Sequence, residues 1–448
     1  MKRLFSLCLC LFVLAASCTV VAAAETEGSC GDGVSWSYDA QSATLSISGT
    51  GAISDFKDVA SVPWKSYCKE IRNISISEGI TAIGNYAFSW CENVTSVTVP
   101  ATVTKIGADA FGWCAALESV SLPEGLQSIG SEAFVACTSL KTVGIPAGVT
   151  SIGNSPFMSC FALTDINVNS GNSKYKSFDG VLYDLSESSL ICYPMGKTAD
   201  DVQVPSNITK IGDSAFTDNE TIRSVSMPSV KEVGAMAFFA CRNLYSVDAS
   251  SVETIGDMAF YKCDNMVSIN LPAAAAVGKQ AFRNCINLQL AMFGNNSVQI
   301  GEDVFKGDPY IAIVANNGSA AQNYAYANSI TYNGFVSVYY GGAEVEYDPA
   351  AFIVNDATTL VPMRQVFEML GAQVTWDDGI NTAIAKKDGI AVSIAIGSPY
   401  LYKNGEEIPL PETGKLIADR TYVPLRAVTE AFGNTVEWVD ATNTVNIY

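Results

Sequence analysis

Cysteine is the residue type in this chain whose number and spacing suggest chemistry, because thiols form disulfides, bind metals and act as nucleophiles. The 448 residues include 13 cysteines. No two of them are separated by two residues, so metal sites of the Cys-x-x-Cys type are excluded. Seven recur at one position of a repeated phrase, 22 or 23 residues apart except for one gap: Cys91, Cys114, Cys137, Cys160, Cys241, Cys263 and Cys285.

This regular column of cysteines favours buried thiols over disulfides. Neighbouring strands of a sheet lie about 4.8 Å apart, whereas the Cβ atoms of a disulfide are about 3.8 Å apart. Asn219 and Asp308 take the cysteine position in two further copies of the phrase. Cys30 and Cys68 flank the first segment of the mature chain, and the sequence leaves open whether they pair; Cys192 would then be free.

Histidine is absent from the chain. Its absence excludes Ser-His-Asp and Cys-His catalysis, most zinc enzymes and histidine-bound copper. A pair of carboxylates could still hydrolyse glycosides, but the acidic residues are scattered and no pair stands out. We therefore expect neither enzymatic activity nor a cofactor.

The balance of charge argues against nucleic acid as a partner. The chain has 26 Lys and Arg residues against 45 Asp and Glu residues, a formal net charge of −19. Nucleic acids and anionic lipids are bound by cationic surfaces, and the sequence contains no basic cluster. This acidity is typical of a soluble exported protein.

Residues 1–24 have the pattern of a signal peptide. Lys2 and Arg3 precede an apolar run that starts at Leu4, and three alanines end the segment, so we expect cleavage after Ala24. A rival interpretation makes Cys18 the lipidated N-terminus. No later segment has the roughly 18 apolar residues of a membrane helix, so we expect no transmembrane segment after the signal is removed.

The phrase Ile-Gly-x-x-Ala-Phe-x-x-Cys defines the elements that must position these residues. Each copy continues as x-x-Leu-x-x-Val-x-Leu-Pro, in which the alternation predicts one short strand, such as Ser119 to Leu122. The spacing of Ala87 and Cys91 predicts a short helical stretch after the Gly. A period in the low twenties predicts a leucine-rich repeat solenoid, with a parallel β-sheet on one face and short helices or turns on the other. Nine copies begin at Ile83, Ile106, Ile129, Ile152, Ile211, Val233, Ile255, Val277 and Ile300.

This unit resembles the BspA-type leucine-rich repeat of bacterial surface proteins, from about Ile74 to Phe305. The resemblance implies a strand-rich lead-in over 25–73 and a solenoid over 74–333. Within the solenoid it implies a hairpin insertion at about 170–205, which contains Asp179-Gly180-Val181-Leu182-Tyr183, and a closing cap at about 310–333.

Residues 334–448 contain a different internal repeat. Leu360-Val361-Pro362-Met363-Arg364 is echoed by Tyr422-Val423-Pro424-Leu425-Arg426, and each half predicts strand, short helix, Gly and strand. The segment resembles the copper amine oxidase N-terminal-like domain, or stalk domain, and is expected to be a small α+β domain. The resemblance implies a spacer or an attachment to the cell wall, without copper, because histidine ligands are absent.

Residues 410–414 spell Leu-Pro-Glu-Thr-Gly, the pentapeptide of sortase sorting signals. Such a signal requires a membrane-spanning tail and a basic end. The residues that follow carry charges such as Asp419, Arg420 and Glu430, and they form the second half of the internal repeat. We therefore interpret the pentapeptide as a chance loop sequence.

Candidate binding residues lie at positions that the repeat leaves variable. Trp90 and Trp113 occupy the same position in adjacent copies and could grip a protein or a sugar, although packing beneath the N-terminal segment is the favoured alternative. Small polar residues face outward from the strands: Ser96, Thr98, Ser119, Ser121 and Thr142.

Two functions fit these features. The first is an exported, adhesin-like binding protein that recognises protein or glycan partners at the cell surface or of a host. The second is a structural spacer of the cell envelope. A carbohydrate-active enzyme is a weaker third.

Overall fold

The computed structural model describes residues 25–186, 188–347, 350–354, 358–377, 379–417 and 420–448. The predicted signal peptide, with Cys18, lies outside the described residues. The chain forms a parallel β-solenoid of about 11 turns with few helices, followed by a separate antiparallel β domain. The fold class expected from the repeat is therefore confirmed.

An N-terminal sheet closes the first end of the solenoid. Its strands are, in order across the sheet, β1 (Glu27–Gly31), β2 (Val34–Asp39), β3 (Thr44–Gly49) and β5 (Asn73–Ile76), of which β5 is the first strand of the solenoid. Trp64 is fully buried beneath this sheet, and its indole nitrogen donates a hydrogen bond to the carbonyl of Ala87 at 2.9 Å. The elements before the solenoid are β1 (Glu27–Gly31), β2 (Val34–Asp39), β3 (Thr44–Gly49), β4 (Gly51–Ala52) and the 3₁₀ helices Val59–Ser61 and Lys65–Tyr67.

Each turn of the solenoid, here called a rung, carries two short strands. The strands are β5 (Asn73–Ile76), β6 (Ile80–Ile83), β7 (Ser96–Thr98), β8 (Lys105–Ile106), β9 (Ser119–Ser121), β10 (Ser128–Ile129), β11 (Thr142–Ile145), β12 (Ser151–Ile152), β13 (Asp165–Val168), β14 (Tyr175–Phe178), β15 (Val181–Asp184), β16 (Ser189–Cys192), β17 (Asp201–Gln203), β18 (Lys210–Ile211), β19 (Ser224–Ser226), β20 (Glu232–Val233), β21 (Ser246–Asp248), β22 (Thr254–Ile255), β23 (Ser268–Leu271), β24 (Ala276–Val277), β25 (Leu290–Phe293), β26 (Gln299–Ile300), β27 (Ala312–Ala315) and β28 (Thr331–Gly334).

These strands form two sides of the solenoid. The odd-numbered strands from β5 to β13 and from β17 to β27 form the face side, in which neighbours such as β7 and β9 pair in parallel. The even-numbered strands from β6 to β12 and from β18 to β26 form the back side. The insertion supplies the antiparallel strands β14 to β16, and β16 continues the back side by pairing with β18. The second strand of each rung was not predicted from the sequence.

The segment between Gly and Cys consists of turns and contains no helix in the described rungs. Its backbone bonds run from rung to rung: the amide of Phe88 donates to the carbonyl of Ala110 at 2.8 Å, and that of Phe111 to Ala133 at 2.8 Å. The helical stretch expected from the spacing of Ala87 and Cys91 is therefore replaced by turns. The phenyl rings still enter the core, where Phe88 and Phe111 stack with centroids 5.3 Å apart.

The cysteine column is a ladder of buried, hydrogen-bonded thiols. Six of them donate to a phenylalanine carbonyl of the preceding rung over 3.0–3.2 Å, as Cys114 does to Phe88. Burial raises the pKa of the Cys114 thiol to about 12, so it stays protonated and inert. All ten cysteines of the described residues are free, and Cys68 contacts Cys91 instead of bonding to Cys30.

A short helix closes the solenoid. Helix α1 (Ala320–Ala327) begins after Ser319, whose hydroxyl accepts a hydrogen bond from the amide of Gln322 at 3.2 Å. Its buried residues, Ala321 and Ala325, complete the core of the last rungs.

The C-terminal domain consists of three sheets, in which most neighbouring strands are antiparallel, and two short helices. The internal repeat appears as β32 (Thr358–Pro362) followed by α2 (Met363–Met369) and as β39 (Arg420–Pro424) followed by α3 (Leu425–Ala431), and β32 pairs with β39. Its elements are β29 (Ser337–Tyr340), β30 (Ala343–Val345), β31 (Phe352–Val354), β32 (Thr358–Pro362), α2 (Met363–Met369), β33 (Gln373–Asp377), β34 (Thr382–Lys387), β35 (Ile390–Ala395), β36 (Tyr400–Lys403), β37 (Glu406–Pro409), β38 (Lys415–Ile417), β39 (Arg420–Pro424), α3 (Leu425–Ala431), β40 (Val436–Val439), the 3₁₀ helix Asp440–Thr442 and β41 (Thr444–Ile447).

The Leu-Pro-Glu-Thr-Gly segment is a connection inside this domain, between β37 and β38. The amide of Leu410 donates to the carbonyl of Pro399 at 2.8 Å, and the carbonyl of Gly414 accepts from Gly397 at 3.0 Å. The chain after it returns to the domain, where β41 pairs with β29. Within the part of the chain that the structure describes, no helix has the length and apolar character needed to cross a membrane.

Candidate functional site

Trp90 and Trp113 form an exposed, stacked aromatic pair in adjacent rungs. Their rings are 4.8 Å apart between centroids and only 8° from parallel. The exposed fractions of the two residues are 37% and 46%, so they are not packed beneath the N-terminal sheet. The alternative favoured from the sequence is thus wrong, and the pair is accessible to a partner.

The backbone at these tryptophans has a conformation that bulky side chains rarely adopt. The φ angles of Trp90 and Trp113 are 65° and 62°, in the left-handed region. Hydrogen bonds hold this turn in place, since the amide of Trp90 donates to Gly112 at 2.8 Å and that of Trp113 to Val135 at 2.6 Å. Later rungs place smaller residues at the same position with the same sign of φ, for example Ala136 and Ser159.

Packing does not explain tryptophan at these two positions. The left-handed turn recurs from rung to rung, so it belongs to the repeat, and at these two rungs it leaves 37% and 46% of the tryptophan surface exposed. The side chains gain each other's contact, worth about 0.5–1.5 kcal/mol for an aromatic pair, but a small residue would satisfy the turn. The pair is therefore a candidate for contact with a partner.

The outward strand residues form a separate polar surface on the face side. Ser96 pairs with Ser119, and Thr98 pairs with Ser121, one rung apart. All four are exposed, as is Thr142 on β11, whereas Val97, between Ser96 and Thr98, points into the core. The structure thus places these residues as the alternation predicted. They lie on strands, while the tryptophans lie on the turns that precede Cys91 and Cys114.

A polar groove in the second half of the solenoid was not predicted. It has a volume of about 860 Å³ and extends from Asp201 to Gln289, across successive rungs. Its walls carry three asparagines at one position of consecutive rungs, Asn243, Asn265 and Asn287. The sequence does contain the signal, since each follows a ladder cysteine by two residues.

The C-terminal domain packs against the face side of the last rungs. Leu290, Met292 and Val314 occupy outward strand positions but are buried, in a cluster with Phe352 and Tyr422 of the C-terminal domain. A second groove of about 710 Å³ lies along this junction. The outward positions of the face side therefore change from polar to apolar where the second domain covers them.

The donor set of the described residues does not fit a metal centre. No group of three or more His, Cys, Asp or Glu side chains among them is placed to hold an ion. The chain also lacks every imidazole that a copper site would use.

The repeat and the C-terminal domain both match known families. The BspA type leucine rich repeat region matches in 6 copies over residues 65–180 and 193–312, more than half of the chain. The chain belongs to the BspA-type leucine-rich repeat family. Residues 339–447 match the copper amine oxidase N-terminal domain.

Three bacterial proteins of known structure are similar to this chain. A leucine-rich repeat protein from Eubacterium ventriosum is 23% identical, with a TM-score of 0.50, and the match covers 65% of this chain and 78% of that protein. The pneumococcal vaccine antigen PcpA is 17% identical, with a TM-score of 0.53 and coverage of 67% and 97%.

A leucine-rich cell surface protein from Faecalibacterium prausnitzii is 24% identical, with a TM-score of 0.51 and coverage of 67% and 96%. No match was found among curated proteins. These likenesses establish the fold of a BspA-type solenoid. The tryptophan pair and the asparagine groove are features of this chain's own side chains.

Proposed function

We propose that this chain is an exported, non-catalytic binding protein of the bacterial surface, adhesin-like, and that its first rungs recognise a protein partner. Trp90 and Trp113 would be the anchors, and the hydroxyls of the face side would add hydrogen bonds. The observation that carries the proposal is the exposed aromatic pair held in a strained turn.

Several features support export and display. The signal-peptide pattern predicts cleavage after Ala24, and the related Faecalibacterium protein is described as a cell surface protein. We keep the division of the mature chain into a lead-in over 25–73, a solenoid over 74–333 and a stalk-like domain over 334–448. Association with the cell wall through residues 334–448 is part of the proposal.

The physical case for the tryptophans rests on how interfaces are stabilised. Binding energy concentrates in a few large residues, among which Trp is enriched, while small polar contacts add specificity and little affinity. Ser96, Thr98, Ser119, Ser121 and Thr142 are exposed and evenly spaced, but each offers only a small contact area. We therefore assign affinity to the tryptophans and orientation to the hydroxyls.

The test measures binding of purified residues 25–448 to intact epithelial cells and to immobilised collagen, fibronectin and laminin. Saturable binding to the cells or to one of these proteins is expected. The double variant Trp90→Ala/Trp113→Ala should weaken it by at least about tenfold, because loss of a hot spot costs 2 kcal/mol or more.

A matched control exists in later rungs. Phe239 and Tyr261 form a second stacked pair, with centroids 5.0 Å apart and planes at 4°. The variant Phe239→Ala/Tyr261→Ala should keep full binding. Equal losses in both double variants would refute the assignment, and absence of saturable binding to every probe would favour the structural-spacer alternative.

A further inference from the structure

We infer that the groove of the second half of the solenoid binds an extended, uncharged polysaccharide along the solenoid axis. This site is separate from the tryptophan pair. The inference rests on the proposed function only in that the chain must meet its ligand outside the cell.

The shape of the groove fits a linear chain. Its walls come from successive rungs, from Asp201 on β17 to Gln289 beside β25, so its long direction follows the solenoid axis. It shares Val267 and Gln289 with the groove along the C-terminal domain. The two grooves therefore form one path that ends against that domain.

The chemistry of the groove favours a neutral polyol. Seven of its ten lining residues carry amide or hydroxyl groups, which can both donate and accept hydrogen bonds. The lining has one cation, Arg223, and one anion, Asp201, so their formal charges cancel. An acidic polymer would also be repelled by the chain's net charge of −19.

The asparagines are oriented by the scaffold before any ligand binds. The amide nitrogen of Asn243 donates to the carbonyl of Glu220 at 2.7 Å, and that of Asn287 donates to Asp264 at 2.8 Å. The nitrogen of Asn265 donates to the side-chain oxygen of Asn243 at 3.4 Å. The side chains remain exposed, and an amide has further donor and acceptor capacity. Fixed orientation lowers the entropy lost on binding.

The spacing of the rungs separates a polysaccharide from a peptide. In the core beneath the groove, the stacked rings of Phe216, Phe238 and Phe260 are 4.8 and 5.0 Å apart. An extended peptide advances about 3.3 Å per residue, so its groups would fall out of phase with amides spaced by one rung. The repeat length of a β-linked chain of pyranose sugars is close to the spacing between rungs, so successive sugars can contact successive amides. The exposed ring of Tyr245 adds an apolar platform for a sugar.

The test titrates purified residues 25–448, by calorimetry, with cellohexaose, mannohexaose, xylohexaose and chitohexaose. At least one hexasaccharide should bind, and more tightly than its own disaccharide, because a longer chain contacts more rungs. Asn243→Ala and Asn287→Ala should each weaken binding by about tenfold, the loss expected for a hydrogen bond and the contacts around it.

The control is Asn93→Ala. The amide nitrogen of Asn93 makes the same contact to the preceding rung, with Lys69 at 2.7 Å, but lies outside the groove. This variant should lower the melting temperature as Asn243→Ala does and leave saccharide binding unchanged.

Two results would overturn the inference: no hexasaccharide binds the folded protein, or Asn93→Ala weakens binding as much as the groove variants. The groove variants should still bind to cells. The variant Trp90→Ala/Trp113→Ala should still bind saccharides. Failure of either site is thereby distinguished from failure of the other.

Discussion

At the scale of single residues, the thiol ladder ends in a carboxylic acid. Asp308 takes the ladder position of the last copy and is 7% exposed. Burial raises its pKa from 3.8 to about 8, although hydrogen bonds from the backbone of Cys285 and Asn284 act in the opposite direction. The protonated acid can donate a hydrogen bond as the thiols do, whereas the carboxylate must be buried as a charge.

Stability should therefore depend on pH through Asp308. The folded state keeps this proton up to about pH 8 while the unfolded chain loses it near pH 4, so the free energy of unfolding falls as pH rises between these values. Asp308→Asn removes the charge and should be more stable than the wild type at pH 9, with a smaller difference at pH 5. Urea unfolding at both values measures this, and parallel pH profiles would contradict it.

The two tryptophans and the phenylalanine between them should differ in their cost to stability. Phe111 is fully buried, so Phe111→Ala should lower the free energy of unfolding by about 3–5 kcal/mol. Trp113→Ala removes a ring that is 46% exposed and keeps the turn, whose positive φ angle Ala136 also adopts, and it should cost less than about 1 kcal/mol. Urea unfolding of the two variants compares them directly, and similar losses would show that Trp113 belongs to the core.

At the scale of the elements, the rung depends on a close backbone approach at its glycine. A Cβ atom at Gly107 would lie 2.5 Å from the backbone nitrogen of Asn85 in the preceding rung. Gly107→Ala should therefore force the rungs apart and lower the melting temperature by several degrees. A Cβ atom added at Gly144 on β11 would have no other atom within 4 Å, so Gly144→Ala should be neutral or slightly stabilising. Equal thermal shifts would contradict the role of the contact.

The sequence predicted the rungs because their pattern is local and repeated. It predicted a helix after each glycine because Ala87 and Cys91 have helical spacing, yet the amide of Phe88 bonds across to the next rung and not along the chain. Cys68 lies 23 residues before Cys91 and could have been recognised as the first member of the ladder. The pattern is obscured there, because Lys65 stands at the phenylalanine position of the phrase and Trp64, one residue earlier, stacks on Phe88 instead.

The candidate sites were predictable to different degrees. Outward alternation on the strands placed Ser96 and Thr98 correctly, because the side-chain period of a strand is two. The exposure of Trp90 depends on the direction of a left-handed turn, which no periodicity encodes. The docking of the C-terminal domain joins segments far apart in sequence, and only the apolar Leu290 and Met292 at outward positions signalled it.

At the scale of the whole molecule, the C-terminal domain is packed on the solenoid. Met292 is 1% exposed in the cluster that joins the two, so Met292→Asp would place a charge against Phe352 and Tyr422. Release of the domain solvates that charge, and the radius of gyration measured by small-angle X-ray scattering should increase. Ser226→Asp, on the same face side outside the cluster, should leave it unchanged. An unchanged radius in a folded Met292→Asp variant would contradict the docking.

We propose that the solenoid holds Trp90 and Trp113 outward as anchors for a partner at the cell surface. The most direct test is the binding isotherm of residues 25–448 on intact epithelial cells, with and without Trp90→Ala/Trp113→Ala. We expect saturable binding that the double variant weakens by at least about tenfold, while the melting temperature of the variant stays close to that of the wild type. Undiminished binding by the double variant would contradict it.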